Sequence, residues 1–321
     1  MKKNYIDIID PIHDFIRVYD YELPIIDNPL FQRLRRIKQL SGAHLTYPSA
    51  QHSRFEHSLG VMHIASQAGF ALNEKGFLNS DDVQILRIAG LLHDIGHGPF
   101  SHLFEEVIQE KKISHEDYGK KIILNSEIGD IVSKTGFDKK LVTKIAFGES
   151  KFQYLNEIVS GALSADMMDY LLRDGYFTGA EHAKIDHKRI TQSLDIYKNK
   201  LALERSALYS FESMMHSRYQ MFKAVYFHKT VRAAEVMIIE ALRLSDDEFG
   251  FTSFNLNEFV KLTDEYVLSS LISSKSSKLK RAKQLAEDYQ NRRLLKCVFE
   301  RILTNQTNLK KTRTDELRIE I

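Results

Sequence analysis

Apolar residues recur at helical spacing along most of this chain, most plainly in RFEHSLGVMHIASQAGFAL after Ser53. An earlier helix is predicted in FQRLRRIKQL, where Asp27 can cap and Pro29 suits the first turn. SGAHLTYPSAQ, at 41–51, reads as a loop. Asp81 or Asp82 can cap VQILRIAGLLHDIGH, which runs into a break at Gly98-Pro99. SHLFEEVIQE reads as a short helix, and Ser114 with Asp117 forms a capping-box pattern ahead of HEDYGKKIIL. FQYLNEIVSGALSADMMDYLLRDGYF predicts one helix ending near Gly175. The stretch 206–244 has no Gly or Pro and predicts one very long helix or two joined at a kink, with shorter helices from about Asn257. Two segments break the period. The opening residues through DPIHDFIRVYDYEL alternate enough for a hairpin or extended arm, and SLDIYKNKLALE predicts a hairpin turning at Asn199-Lys200.

The fold class is therefore all-α with at most a small β-hairpin. Proline placement agrees, since all five prolines lie at or before Pro99 and none interrupts the rest of the chain. No repeat, low-complexity tract or Gly/Ser linker divides the sequence, so 1–321 reads as a single domain. A charged fraction of 27% with 43% hydrophobic residues is that of a globular protein and excludes collagen, a disordered tail or a disulfide scaffold. The one cysteine, Cys297, excludes an internal disulfide and a cysteine-based zinc finger. No run approaches a membrane span and MKKNYIDIIDPIHDF lacks the apolar stretch of a signal peptide, so the expectation is a cytoplasmic protein with no membrane partner. The formal net charge of +2 names no partner, but residues 275–313 hold twelve Lys or Arg against three Asp or Glu. That basic segment suits nucleic acid or phosphate, or else a solvated helix face.

Histidine placement carries the chemistry. Six of the thirteen histidines fall between His57 and His115, and clustered histidines in a helical protein point to a metal site between helices. His93 and Asp94 are adjacent, His97 follows a turn later, His57 heads the preceding helix and Asp166 lies on a later one. Two imidazoles and two carboxylates make a mixed N/O set suited to one divalent Fe, Mn, Zn or Co ion and poorly suited to soft copper.

Here the chain resembles a known family. The order H…HD…D is that of the HD-domain phosphohydrolases. The words DPIH at 10–13, DNPLFQRLRRIKQL at 27–40, HSRFEHSLGV at 52–61, HDIGHGPFSH at 93–102 and DYLLRD at 169–174 resemble the deoxynucleoside triphosphate triphosphohydrolases, animal and bacterial. The resemblance runs from about residue 10 to about 296. It implies an HD-domain helical fold with a metal-site core at about 27–245 and a basic helical segment at about 257–313. It also implies hydrolysis of a dNTP to deoxynucleoside and triphosphate, with the metal held by His57, His93, Asp94 and Asp166 and Mg on the triphosphate as a further cation. His115 matches the general acid that protonates the leaving 5′-oxygen, with Glu105 as its carboxylate partner where the animal members have Asp. His97, His102, Arg54 and Arg218 match triphosphate contacts, Gln39 and Leu40 match residues that lie against the sugar, and Tyr170, Asp174 and Tyr226 match its pocket. Met167 departs from the pattern, standing where the animal members carry a phosphate-binding lysine. The remaining histidines, His13 and His52 among them, read as structural or surface residues.

Regulation in the larger members runs through a nucleotide bound between subunits. Asp27, Gln32 and Arg35 match part of that pocket, and Arg292 and Lys296 match its far side. Ile6 and Ile9 replace a lysine and an asparagine of the animal members, and the chain ends about 25 residues beyond Lys296 where the larger members continue. Without those contacts a nucleotide cannot shift an assembly equilibrium, so the expectation is a homo-oligomer, a dimer or multiple of it, formed without an activator. The competing readings are an HD-fold nuclease or nucleotide phosphodiesterase, and a non-catalytic regulatory or nucleic-acid-binding HD protein.

Overall fold

A computed structural model describes residues 4–180 and 183–298. Its central element is α1 (Arg54–Glu74), which Ser53 starts by a reciprocal capping box with Glu56. Fourteen of its 21 residues are buried, so α1 is a core helix covered on nearly all sides and not an amphipathic surface helix. Helix α2 (Ser80–Leu92) crosses it closely because Gly90 faces Ala65; a Cβ there would meet the Ala65 Cβ and the Val61 carbonyl at 3.3 Å. Asn79, not Asp81 or Asp82, caps α2, accepting from both of their N–H groups while Asp82 returns to the Asn79 N–H. Helix α2 ends at Leu92, so His93 is its C-cap and His93-Asp94 leave the helix end instead of projecting from its middle.

Around this pair lie α3 (His102–Ile108), α4 (His115–Asn125) and α5 (Ala165–Thr178). The Ser114–Asp117 capping box is present. The helix expected through Gly175 is two: Gln153–Val159, then α5, which Ser164 caps and which runs on to Gly179 in the left-handed region. The kinked alternative holds for the next stretch. Helix α6 (Leu208–Met221) passes into a π-helical turn at Phe222–Tyr226 before α7 (Lys229–Phe249) restarts behind an N-cap from His228. Near the start, Asn28 caps Pro29–Gln32 in place of Asp27, which ends the short helix Leu23–Ile26. The helix expected over FQRLRRIKQL shrinks to one turn plus a 3-10 turn, because Lys38 bridges to Ser53 in extended form.

Both expected hairpins form. β1 (Tyr5–Asp10) pairs antiparallel with β2 (Asp14–Tyr19), burying Ile16 and Val18. β3 (Leu194–Tyr197) pairs with β4 (Lys200–Leu203), turning at Lys198-Asn199, one residue earlier than expected. Both turn residues have positive φ, the signature of a two-residue type I′ turn. Most of the buried apolar side chains from Ile16 to Tyr289 join one contiguous cluster, and Ala43, Ala50 and Val231 form a small second one. Its C-terminal part comes from α8 (Asp264–Ser273) and α9 (Lys280–Gln290), with α9 packed on α7. Most of the basic side chains of 275–296 are exposed; 299–313 lie outside the described residues. No helix among the described residues is long and apolar enough to cross a membrane.

Candidate metal centre

Helices α1, α2 and α5 converge where His57, His93 and Asp166 bring ligand atoms within 4.8 Å of one another. His57 Nε2 lies 3.1 Å from Asp166 Oδ1 and 3.7 Å from Asp94 Oδ2; His93 Nε2 lies 3.3 Å from Asp94 Oδ1. Three of the four expected ligands thus cluster, and Asp94, paired with Arg54, borders the group. The imidazoles are oriented for it. His93 Nδ1 bonds the Gly90 carbonyl at 2.7 Å, leaving Nε2 buried without a hydrogen-bond partner. His57 Nδ1 bonds Asp169 at 2.8 Å, which turns Nε2 inward. A lone-pair nitrogen facing carboxylate oxygens is repulsive unless a proton or a cation lies between. Burial alone would pull His57 down, yet its bonds to Asp166 and Asp169 and the charges of Asp169 and Asp94 hold it up at about 10. The site demands positive charge, and the donor set fits a divalent cation. Asp166 keeps its side chain 31% exposed, the open side a catalytic centre needs.

A second layer fixes these ligands. Asp169 is fully buried and accepts from His57, from His13 Nε2 at 2.6 Å and from Arg173 at 2.9 and 3.0 Å. Burial opposes its ionisation, but the Arg173 charge and the two histidines hold its carboxyl well below the usual range. Arg173 continues to Asp10, whose Oδ1 also accepts from the Ile12 and His13 N–H groups at the hairpin turn. Asp10, His13, Asp169 and Arg173 were not singled out from sequence, although they lie in DPIH and DYLLRD. Nothing local marks a contact 156 residues long. Gly60 makes room for this layer: a Cβ there would lie 1.8 Å from Asp169 Oδ1 and 2.7 Å from Arg173 Nη2. Gly60→Ala is therefore expected to displace Asp169, costing about 1–3 kcal/mol by overpacking and roughly 10–100-fold in metal affinity. Thermal melts and metal titration check this; wild-type affinity in the variant would remove Asp169 from the site.

The cation set opens into a cavity of about 550 Å³, within the roughly 300–1,000 Å³ range of small-molecule sites. Of the expected residues its walls carry Gln39, Leu40, Arg54, His93, Asp94, His97, His102, His115, Asp166, Tyr170, Asp174 and Tyr226. His57, Glu105 and Arg218 are not among the described lining residues. His115 gives its Nδ1 side to Glu105 at 2.7 Å, and His97 stacks on its ring at 3.9 Å between centroids. His102 Nδ1 lies 3.3 Å from the other Glu105 oxygen. Burial would raise Glu105, but the bonds from His102 and His115 hold it well below the usual carboxylate range. Burial and the Arg54 charge push His97 well down, against the pull of Asp94. Arg54 is 2% exposed, pairs with Asp94 and bonds Ser101 Oγ at 2.7 Å, while its Nη2 has no partner. An unpaired buried donor costs about 1–3 kcal/mol, which an anion in the cavity would relieve.

The opposite wall is tied through Asp174. Its oxygens accept from His52 Nε2 at 2.8 Å and from the Tyr226 hydroxyl at 2.7 Å, which the π-helical turn delivers. His52 stacks on Phe177, so it belongs to this wall and not to the surface. Tyr170 is pushed up to about 12, mainly by burial and by the Asp166 charge, with Arg218 opposing. Arg218 lies over the Phe222 ring at 5.4 Å. Met167 is 8% exposed, in the core. The 99–101 segment is strained: Phe100 and Ser101 both hold positive φ, at about 1–3 kcal/mol each. A second cavity of about 440 Å³ lies beyond Lys38 and Phe100, lined by Arg35, Arg36, His44, Asp264 and Tyr289. Gln32, outside its lining, bonds the Ile26 carbonyl and accepts from Arg35, as internal ties would. Ile6 and Ile9 are exposed on the first hairpin.

The sequence matches the family described as HD domain over residues 54–174 and the HD associated region over 185–321. An uncharacterized protein of Methanocaldococcus jannaschii is 42% identical over 239 residues, 73% of this chain and 49% of the relative. The Homo sapiens deoxynucleoside triphosphate triphosphohydrolase SAMHD1 is 31% identical over 368 residues, 98% of this chain and 58% of the relative. The crystal structure of a hypothetical protein from Aquifex aeolicus shares 35% identity at a TM-score of 0.82, covering 98% of this chain and 82% of that one. The chain spans about half to two thirds of the length of the first curated relatives it matches.

Proposed function

The chain belongs to the HD-domain phosphohydrolase family, and from that membership we propose that it cleaves a dNTP to deoxynucleoside and inorganic triphosphate. The observation that carries this reading is the single cavity joining the His/Asp cation set, an Arg54 donor without a partner and His115 backed by Glu105. A divalent Fe, Mn, Zn or Co ion held by His57, His93, Asp94 and Asp166 would supply Lewis-acid polarisation of a phosphoryl oxygen and acidify water. Arg54 then supplies charge-assisted hydrogen bonds to the phosphates, a role for which a guanidinium is well shaped. Water adds to the α-phosphorus, the bond to the 5′-oxygen breaks, and His115 delivers the proton that oxygen takes up. Glu105 keeps His115 turned with Nδ1 toward itself, leaving Nε2 for that transfer. Leu40, Tyr170 and Tyr226 form the walls for the deoxyribose. A homo-oligomer that needs no nucleotide activator accompanies this reading.

The test is a product analysis. Purified protein of known metal content is incubated with each dNTP, each NTP and a single-stranded oligonucleotide. The expected products are deoxynucleoside and triphosphate from dNTPs, with NTPs turned over far more slowly. Release of a nucleoside monophosphate, or cleavage of the oligonucleotide alone, would replace the proposal with a phosphodiesterase or nuclease.

A further inference from the structure

We propose that Asp264 is a positioning residue through which the C-terminal region sets Arg54 and the two loops that wall the cavity, an inference that rests on the hydrolase reading above. Asp264 opens α8 and is 5% exposed. Both of its oxygens are engaged by backbone donors: Oδ2 accepts from the Lys38 N–H at 3.0 Å and Oδ1 from the Phe100 N–H at 2.6 Å. Those donors belong to different loops. Lys38 precedes Gln39 and Leu40, and Phe100 precedes Ser101 and His102, all four of which line the cavity. One carboxylate thereby fixes the spacing of the two walls.

The link runs on to the cation set. Ser101 Oγ donates to the Lys38 carbonyl at 2.7 Å and accepts from Arg54 Nε at 2.7 Å, and Arg54 reaches Asp94. Arg33 adds a parallel tie, donating to the Leu262 carbonyl at 3.1 Å and to the Ile95 and His97 carbonyls at 3.0 and 2.7 Å. The 262–264 turn is thus joined from outside to the segment that carries His93 to His102. That segment needs a holder, because Phe100 and Ser101 both keep a left-handed φ that a free loop would leave. A buried carboxylate is a costly filler, and burial pushes this one up to about 6 against the pull of the two N–H groups. Two amide donors on two loops call for a residue with two acceptors. Asn has one.

The experiment uses the full chain with its metal and compares Asp264→Asn, Arg54→Ala and the double variant with wild type. Asn keeps the size of the side chain but turns an NH2 group toward one of the backbone donors. Metal content should stay unchanged, while KM for the preferred dNTP rises about tenfold, the scale of one lost charge-assisted hydrogen bond. In the Arg54→Ala background the same change should add nothing to KM, since both act on one contact. Additive effects, or an unchanged KM in Asp264→Asn, would overturn the proposal. A second readout needs no turnover: amide hydrogen exchange in the metal-loaded variant should quicken at 38–40 and 100–102 while α9 keeps its protection. Unaltered exchange in those two loops overturns the proposal as well. Should wild type turn over no dNTP, the hydrolase reading fails and the exchange experiment alone decides the role of Asp264.

Discussion

Alanine at His57 or Asp94 is expected to empty the metal centre and abolish turnover while leaving the helical signal of the protein in place. Each removal takes one proposed ligand from a site in which His57, His93 and Asp166 approach within 4.8 Å and Asp94 lies 3.3 Å from His93. Changing a residue that merely orients a ligand costs about 10–100-fold in metal affinity, so losing a ligand should exceed that. The two variants differ in what else they disturb. Asp94 is the buried partner of Arg54, and stripping one member from a buried ion pair costs about 3–5 kcal/mol. His57→Ala leaves Asp169 with Arg173 and His13, so its carboxylate stays compensated. His57→Ala is therefore the cleaner test and should melt closer to wild type. Elemental analysis decides it: full occupancy in both variants would sink the ligand assignment.

His115→Ala is expected to retain the metal and lose most of its rate, because no atom of His115 belongs to the cation set. General acid–base groups contribute about 10²–10⁴-fold, and the loss should fall on kcat more than on KM. Glu105→Gln should lie between wild type and His115→Ala, since an amide still orients the imidazole but no longer supplies the ionised partner at 2.7 Å. Single-turnover rates with metal-replete enzyme make the comparison. An unchanged rate in His115→Ala would move the acid's role, most directly to His102 on the other oxygen of Glu105.

Much of this site was legible because its chemistry is concentrated in short words. His57, His93, Asp94 and Asp166 stand out by residue type and helix context, and the folded chain brings them together. The helices with strong local signals, such as α1 with its Ser53 cap and α4 with Ser114, start where expected. The errors have local causes of a different kind. Asp27 and Asn28 are equally good caps by residue type, and the choice depends on Asp27 closing the preceding turn. The break at 160–164 has no proline, and apolar residues on both sides keep the helical period running through it. A π turn leaves no signature in composition, so periodicity gives no sign of how Tyr226 reaches Asp174, and only the family resemblance puts both in one pocket. The roles of His13, His52 and Asp264 carry no local signal because their partners lie more than a hundred residues away, and sequence spacing says nothing about such distances.

The ties that Arg33 and Asp264 make between residues 262–264 and the cavity loops also imply an order of assembly. The last of the proposed metal ligands, Asp166, leaves the ribosome about a hundred residues before Asp264 does, which at roughly 5–20 residues per second is a gap of about 5–20 s. During that interval the nascent chain holds every residue that grips a cation, while the loop over the cavity still lacks its outer restraint. A cation captured then would occupy a half-finished site, able to anchor α1, α2 and α5 to one another before the walls that shape a substrate are drawn together. On the proposed function, formation of the cation site would precede closure of the cavity walls, with the segment that carries Asp264 as the closing step.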